Sequence, residues 1–213
     1  MKRTYLLIAL GLILGFASMP AHAVDFSANI GYNSHYIYRG IPQEKSSANG
    51  GLDLEANGFY LGTWAADVGD GIEIDYYGGY AFEVDDWSFG VGGTIYTYTS
   101  DFDDTYREVN LSVGWKFLTF DAAIGKWDAF DGPSLDYQFY SVTADYNGFY
   151  GKVGWFADDF DGTYIEGGYG SDLTVKDTYL FDYQFSLIYS DSTLLGGESD
   201  TNLVFAVSRA FDF

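Results

Sequence analysis

The chain has 213 residues, with 31 acidic and ten basic side chains and a formal net charge of −21 at pH 7. That balance excludes nucleic acid as a main partner, because affinity for the phosphate backbone comes from clustered Lys and Arg. A composition that is 47% hydrophobic and 20% aromatic excludes a disordered chain, and the absence of cysteine excludes disulfide bonds and thiolate metal ligands.

The first 23 residues predict a cleaved signal peptide, residues 1–23. Lys2 and Arg3 form a basic start, residues 5–16 are an apolar run, and the Ala-His-Ala sequence ending at Ala23 is typical of a cleavage site. The apolar run is too short to span a bilayer. We therefore expect a mature chain of residues 24–213 without a transmembrane helix.

The mature chain alternates apolar and polar side chains with period two, which is the pattern of β-strands. Twelve such segments follow one another, at 25–38, 47–56, 59–67, 72–84, 87–99, 105–117, 119–127, 137–146, 149–157, 163–171, 179–190 and 201–213. In the first segment we expect His35 to face inward. The opposite, outward face carries Phe26, Ala28, Ile30, Tyr32, Tyr36 and Tyr38.

Short turns and longer acidic loops alternate between these segments. Asn57-Gly58 and Asn147-Gly148 are strong signals of two-residue β-hairpin turns. The longer connections fall at 39–46, 100–104, 128–136, 158–162 and 191–200. An even number of strands with both termini in the periplasm places these longer loops outside the cell.

The last segment predicts a strand that faces a membrane. Its apolar face carries Leu203, Phe205, Val207, Phe211 and Phe213, and a transmembrane barrel presents such a row to lipid. We interpret the terminal Phe213 as an outer-membrane assembly signal. The whole pattern favours an all-β fold, a transmembrane antiparallel up-and-down β-barrel of about twelve strands over residues 24–213. The edge strand of a soluble β-sandwich is the alternative.

Catalytic and metal-binding chemistry is not expected. Because His22 belongs to the predicted signal peptide, His35 is the only imidazole of the mature chain. A hydrolase needs a nucleophile and a base close together. We therefore predict no enzyme activity, no catalytic residue, no cofactor and no metal site.

Acidic residues recur at inward positions near the outer ends of the strands. We expect the outer lumen to be lined by Arg39 and by Asp53, Glu73, Asp75, Glu108 and Glu166. Rings of carboxylates favour cations and repel anions, which predicts a cation preference. The alternative is that these groups are held in hydrogen-bonded networks with Arg39, Arg107 or tyrosines.

The strand number limits the width of a pore. Twelve strands about 4.8 Å apart and tilted by about 40° close at a backbone diameter of roughly 24 Å. Side chains reduce the opening to about 12 Å at most, and a further narrowing is expected from inward Phe59, Tyr77, Tyr96, Tyr98 and Tyr106. These dimensions favour a pore for small solutes or ions over a wide general porin.

Several motifs resemble a known family. They are Ser34-His-Tyr-Ile-Tyr-Arg-Gly40, Gly50-Gly-Leu-Asp53, Gly58-Phe-Tyr-Leu-Gly-Thr-Trp64 and Glu73-Ile-Asp-Tyr-Tyr-Gly-Gly-Tyr80. They are similar to the TorF family of porins of the proteobacterial outer membrane, densely over residues 26–100 and more thinly afterwards. The family pattern has Asn or Asp where this chain has His35. The resemblance implies an outer-membrane location and a pore, and it implies no substrate and no functional residues.

Together these features predict a porin-like barrel that passes small solutes or ions passively across a bacterial outer membrane. The expected surroundings are outer-membrane lipid and lipopolysaccharide. The alternative is a plugged structural or adhesive barrel whose acidic loops bind partners or divalent cations.

Overall fold

The structure is a computed structural model that describes residues 24–213. The predicted signal peptide, residues 1–23, lies outside the described residues. The twelve strands are β1 (Asp25–Tyr38), β2 (Ile41–Ala56), β3 (Phe59–Asp67), β4 (Ile72–Val84), β5 (Trp87–Tyr98), β6 (Tyr106–Trp115), β7 (Leu118–Trp127), β8 (Leu135–Tyr146), β9 (Phe149–Asp158), β10 (Gly162–Val175), β11 (Thr178–Ser190) and β12 (Asp200–Asp212).

The strands form one closed antiparallel barrel. Each strand pairs with its neighbours in sequence, and β1 pairs with β12 to close the sheet. The closing ladder runs from Ser27 opposite Asp212 to Asn33 opposite Ala206. The prediction of a twelve-stranded barrel is thereby confirmed. Within residues 24–213 no helix is long and apolar enough to cross a membrane.

Two Asn-Gly pairs make the tight turns that the sequence predicts. Asn57 and Gly58 have φ angles of 52° and 84°, and Asn147 and Gly148 have φ angles of 52° and 83°. A type I′ turn requires positive φ at both central residues, and its twist matches that of the flanking strands. These turns join β2 to β3 and β8 to β9.

The outer face of the barrel is apolar. Large aliphatic side chains between 46% and 62% exposed project from it on five different strands, namely Ile30, Leu52, Leu61, Leu111 and Leu187. Such a row is unfavourable in water and favourable against hydrocarbon. A closed barrel with this outer surface is a transmembrane β-barrel.

The largest departure from the sequence prediction lies between β1 and β2. Residues 39–46, predicted as an outer loop, form instead a two-residue turn at Arg39-Gly40 and the start of β2, which begins at Ile41 rather than near Ser47. Arg39 and Gly40 have φ angles of 48° and 81°, which is again the geometry of a type I′ turn. The two strands therefore continue to a tight tip.

The facing of Phe59 also differs from the prediction. Its side chain is 64% exposed and packs on Tyr80, with ring centroids 4.8 Å apart, instead of narrowing the lumen. In β3 the inward positions are those of Tyr60, Gly62 and Trp64, since a shift of one residue reverses the face of every side chain in a strand.

Candidate functional site

The tip of the β1–β2 hairpin leaves the barrel wall. β1 pairs with β12 only as far as Asn33, and β2 pairs with β3 only as far as Asn49. β1 and β2 continue to pair with each other up to Tyr38 opposite Ile41. Residues 34–48, which we call the lumen hairpin, thus have no neighbouring strand on either side.

Local backbone irregularities bend the lumen hairpin inward. The β1–β2 register shifts between Tyr36 and Ile37, and a bulge of this kind bends its strand and increases the twist. Ser46, on the opposite strand, has a φ of 64°. Tyr36, which the sequence predicts on the outward face, is only 1% exposed.

Arg39 at the hairpin tip forms an ion pair across the lumen. Its Nη1 and Nη2 donate to the two carboxylate oxygens of Glu108 on β6, at 2.9 and 2.7 Å. The side chains are 12% and 0% exposed. The guanidinium also lies over the ring of Phe139, with Cζ 4.3 Å from the centroid. This two-pronged geometry is the strongest form of an Arg–carboxylate pair.

Three neutral side chains complete the shell of Glu108. Its Oε1 accepts hydrogen bonds from Tyr96 and Asn110, both at 2.7 Å, and its Oε2 accepts one from Tyr137 at 2.9 Å. Tyr38 of the hairpin donates to the Tyr96 hydroxyl at 2.7 Å. Tyr38, predicted to face outward, is therefore part of the interior. A buried carboxylate is stabilised when such donors fill its lone pairs.

The face of the hairpin toward β3 and β4 makes a second set of contacts. The Tyr36 hydroxyl donates to Glu73, and its ring packs edge-on against Trp64 with centroids 5.6 Å apart. Ala66 and Val68 lie in the same apolar cluster. Asp75 lies nearby at 7% exposure, and its Oδ1 has no hydrogen-bond partner.

The other face of the hairpin packs against the far wall. Ile37 and Ile41 lie against an apolar cluster formed by Ala123, Tyr137, Phe139, Phe156, Tyr164, Ile188 and Val204. Ser190 Oγ donates to the carbonyl of Gly40 at 2.5 Å. A Cβ at Gly40 would lie 2.6 Å from Tyr164 Cβ, so glycine is needed there for space as well as for positive φ.

The remaining carboxylates of the predicted set lie away from the hairpin tip. Asp53 accepts hydrogen bonds from Tyr77 at 2.5 Å and from Asn29 at 3.5 Å. Glu166 accepts one from Tyr150 at 2.5 Å. The structure thus joins Arg39 to Glu108 and distributes the other acidic residues around the interior, where Asp53, Glu73 and Glu166 each accept a hydrogen bond from a tyrosine.

Sequence reasoning did not identify Lys152 and Asp121 as interior residues. Lys152 is 7% exposed, and Asp121 accepts hydrogen bonds from Ser112 at 2.8 Å and Ser141 at 3.3 Å. Asp121 lies on β7 and Lys152 on β9, where the alternation of apolar and polar side chains is weak. The signal that could have found Lys152 is its two-residue spacing from Tyr150 and Gly154, which share its face.

The lumen hairpin leaves little open volume beside it. A cavity of about 40 Å³ lies between the hairpin and strands β9 to β12, with Lys152, Glu166 and Gln184 in its wall. A cavity holds one water for roughly every 10–15 Å³ measured this way. This cavity therefore has room for a few waters.

One known structure shares the fold at low sequence identity, and two others match more weakly. A chain from a study of the in-meso crystallisation of membrane proteins matches with a TM-score of 0.60 and 9% identity, over 89% of this chain and 84% of that chain. OccK1 (OpdK) of Pseudomonas aeruginosa matches with a TM-score of 0.43 and 15% identity, over 82% and 59%. A BenF-like porin from Pseudomonas fluorescens Pf-5 matches with a TM-score of 0.42 and 9% identity, over 80% and 56%. The chain thus spans less than two thirds of the two Pseudomonas proteins.

Sequence comparison identifies a family. No curated protein matches the sequence. The family model described as "Bacterial protein of unknown function (Gcw_chp)" matches residues 17–182. A transmembrane β-barrel of a bacterial protein lies in the outer membrane. Since the matched segment covers most of the sequence, this outer-membrane barrel belongs to the Gcw_chp family.

Proposed function

We propose that the protein is a gated porin-like channel that passes small solutes or ions passively across the outer membrane. The observation that carries this proposal is the lumen hairpin, which fills a barrel too wide to be filled by wall side chains alone. Barrels of eight strands are filled by side chains, and barrels of sixteen enclose an aqueous channel. With twelve strands, removal of residues 34–48 from the lumen leaves room for a pore.

The way in which the hairpin is held supports a gate over a permanent plug. No backbone ladder joins it to β3 or β12. Its contacts with the wall are those of side chains, chiefly Arg39 with Glu108, Tyr36 with Glu73, and the Gly40 carbonyl with Ser190. Such contacts exchange without breaking the barrel sheet.

Interior charge supports a cation preference in the open state. The carboxylates of the interior include those of Asp53, Glu73, Asp75, Glu108, Asp121 and Glu166, and its cationic groups include those of Arg39 and Lys152. Once Arg39 leaves with the hairpin, Glu108 is uncompensated and the excess of negative charge grows. Lumens lined with carboxylates favour cations.

The test is single-channel recording of the refolded protein in planar bilayers. We expect brief openings for the native chain and a much higher open probability for Arg39→Ala and Glu108→Gln. Arg107→Ala is the matched control, because Arg107 pairs with Asp128 at an exposed position. Equal, silent traces from all four proteins would contradict a channel.

The second candidate function is a plugged structural or adhesive barrel. The contacts of the lumen hairpin with the barrel wall favour it, because they hold the hairpin inside the barrel. Acidic loops would then bind lipopolysaccharide, other partners or divalent cations. Among residues 24–213 no group of three or more potential ligand side chains is placed to hold a metal ion, so partners are favoured over metal. Silent recordings with an intact barrel support this candidate.

The TorF resemblance agrees with the first candidate. Passage of small solutes depends on the hairpin leaving the lumen, and the recordings measure the current that this opening allows.

A further inference from the structure

Two oppositely charged residues, Lys152 and Glu166, line the cavity beside the lumen hairpin but do not form an ion pair. Lys152 on β9 lies directly opposite Glu166 on β10 in the ladder, and both line the cavity. Side chains at opposite positions of an antiparallel pair are close enough to form an ion pair. Among the described residues, however, no carboxylate oxygen lies within 4.0 Å of Lys152 Nζ.

Hydrogen bonds from neighbouring side chains explain why Lys152 and Glu166 do not form an ion pair. The Tyr150 hydroxyl donates to Glu166 Oε1 at 2.5 Å, and Gln184 Nε2 donates to the Tyr150 oxygen at 2.6 Å. This chain of hydrogen bonds fixes the carboxylate on the side of Tyr150. Lys152 is therefore a buried cation, 7% exposed, facing a cavity and without a direct counter-ion.

Other polar atoms at the cavity also have no partner. Gln184 Oε1, Asn33 Nδ2 and His35 Nδ1 are buried and make no hydrogen bond. Gln184 and Asn33 are 8% and 6% exposed, and all three residues line the cavity. Buried polar groups in native proteins are nearly always satisfied, so a set of unpaired ones around a cavity indicates a missing partner.

We propose that this cavity binds a small zwitterion, an α-amino acid with a very small side chain. Its carboxylate lies on Lys152 and Asn33, and its ammonium group lies on Glu166 and Gln184. The unpaired Asn33 Nδ2 and Gln184 Oε1 then gain partners, and Lys152 and Glu166 each gain an opposite charge.

Charge and size both favour a zwitterion over a simple ion. An anion would pair with Lys152 but lie beside the Glu166 carboxylate. A cation would pair with Glu166 but lie beside the Lys152 ammonium group. A buried charge without compensation is costly, whereas a zwitterion leaves none. The cavity of about 40 Å³ exceeds the roughly 10–15 Å³ that one water needs, and its small volume favours a very small solute.

This inference rests on the proposed function and names the class of solute that the channel passes. Binding is nevertheless measurable without flux. A silent channel that binds the zwitterion would contradict only the proposed function, and a conducting channel that does not bind it would contradict only this inference.

The experiment is isothermal titration calorimetry of the full refolded chain in detergent micelles, with glycine, acetate and methylammonium as separate probes. We expect glycine to bind and the other two to bind at least about tenfold more weakly, because each satisfies only one charge-assisted contact. Lys152→Met and Glu166→Gln should each weaken glycine binding by about tenfold or more.

Two further variants keep the result interpretable. The double variant Lys152→Met with Glu166→Gln removes both charges together, so no buried charge is left alone, and it should fold and fail to bind. Lys116→Met, at a half-exposed turn position, is the matched control and should bind as the native chain does. Equal binding of acetate and glycine, no glycine binding, or full binding by the folded double variant would overturn the proposal.

Discussion

The guanidinium of Arg39 and the carboxylate of Glu108 are joined by two hydrogen bonds, at 2.9 and 2.7 Å, across the interior of the barrel. The residues are 69 positions apart in sequence. One lies at the tip of the lumen hairpin and the other on the wall strand β6. This contact joins the lumen hairpin to the barrel wall.

Loss of Arg39 should destabilise the barrel as well as loosen the hairpin. Removing one partner of a buried ion pair leaves an uncompensated charge and typically costs about 3–5 kcal/mol. We expect Arg39→Ala to lower the free energy of unfolding by that order, measured by urea titration in detergent. Arg107→Ala, in an exposed pair, should cost less than about 1 kcal/mol. Equal losses in the two variants would show that the Arg39 pair has no special role.

An outward position of the hairpin should be trapped by a cysteine pair. β12 has no partner on its β1 side over residues 200–205, and the Phe205 N–H donates to Ser34 Oγ at 2.9 Å instead of to a backbone carbonyl. Extending the ladder by three positions from Asn33 opposite Ala206 places Tyr36 opposite Leu203. In the structure Tyr36 is buried against Glu73, whereas Leu203 is 68% exposed.

We therefore expect Tyr36→Cys with Leu203→Cys to cross-link only when the hairpin leaves the lumen. The chain has no other cysteine. Oxidation should hold the channel open, and reduction should return it to brief openings in bilayer recordings. Tyr32→Cys with Val207→Cys, already opposite each other in the ladder, is the control and should leave the current unchanged. A failure to cross-link on non-reducing gels during opening would argue against this route.

Neutralising interior carboxylates should reduce the cation preference. Glu73→Gln and Asp75→Asn remove charge from the lumen, where both residues are nearly buried. In the Arg39→Ala background, the reversal potential under a KCl gradient should shift toward zero in each variant. Asp177→Asn, at the turn between β10 and β11, should leave it unchanged. A native reversal potential that already indicates anion preference would contradict the charge argument.

The hydroxyl of Tyr36 should contribute to stability through Glu73. Tyr36→Phe leaves a buried carboxylate short of one donor, and such a loss costs about 1–3 kcal/mol. Tyr76→Phe is the matched control, because Tyr76 is 51% exposed on the outer face. The free energies of unfolding in urea should differ between the two variants by at least about 1 kcal/mol. Indistinguishable values would show that the Tyr36–Glu73 contact is energetically neutral.

A charged side chain on the apolar outer face should lower the stability of the barrel. Leu111 lies in the middle of β6 and is 46% exposed. Leu111→Arg should cost about 2–4 kcal/mol if this position lies near the bilayer midplane, measured by unfolding from lipid vesicles. Ile72→Arg, at the outer end of β4 and 48% exposed, should cost about 0–1 kcal/mol. Similar costs at the two positions would contradict the placement of the membrane.

Most of the architecture could be predicted from local pattern. Alternation identified twelve strands, and the Asn57-Gly58 and Asn147-Gly148 turns follow from the φ angles that those residue types tolerate. The exception is the β1–β2 region. There the alternation with period two correctly predicted β-strand, but it assigned Tyr36 and Tyr38 to the outer face. Alternation predicts the face of a side chain only while its strand stays in the barrel wall.

The candidate site was only partly within reach of the sequence. Arg39 and the acidic residues were identifiable from type and parity, since inward positions of a barrel are polar. Lys152 was not identified, because β9 alternates weakly and a lysine near a turn is usually solvated. Which carboxylate Arg39 pairs with depends on how far the hairpin bends into the barrel, and contacts between residues distant in sequence set that distance.

The amino-acid sequence alone determined the number of strands, their turns and the apolar face turned to lipid, because each of these follows from residues within a few positions of one another. Tertiary structure alone decided that the lumen is filled and that Arg39 meets Glu108. Both outcomes require the sheet to close, since only closure brings β6 to face the hairpin that departs from β1.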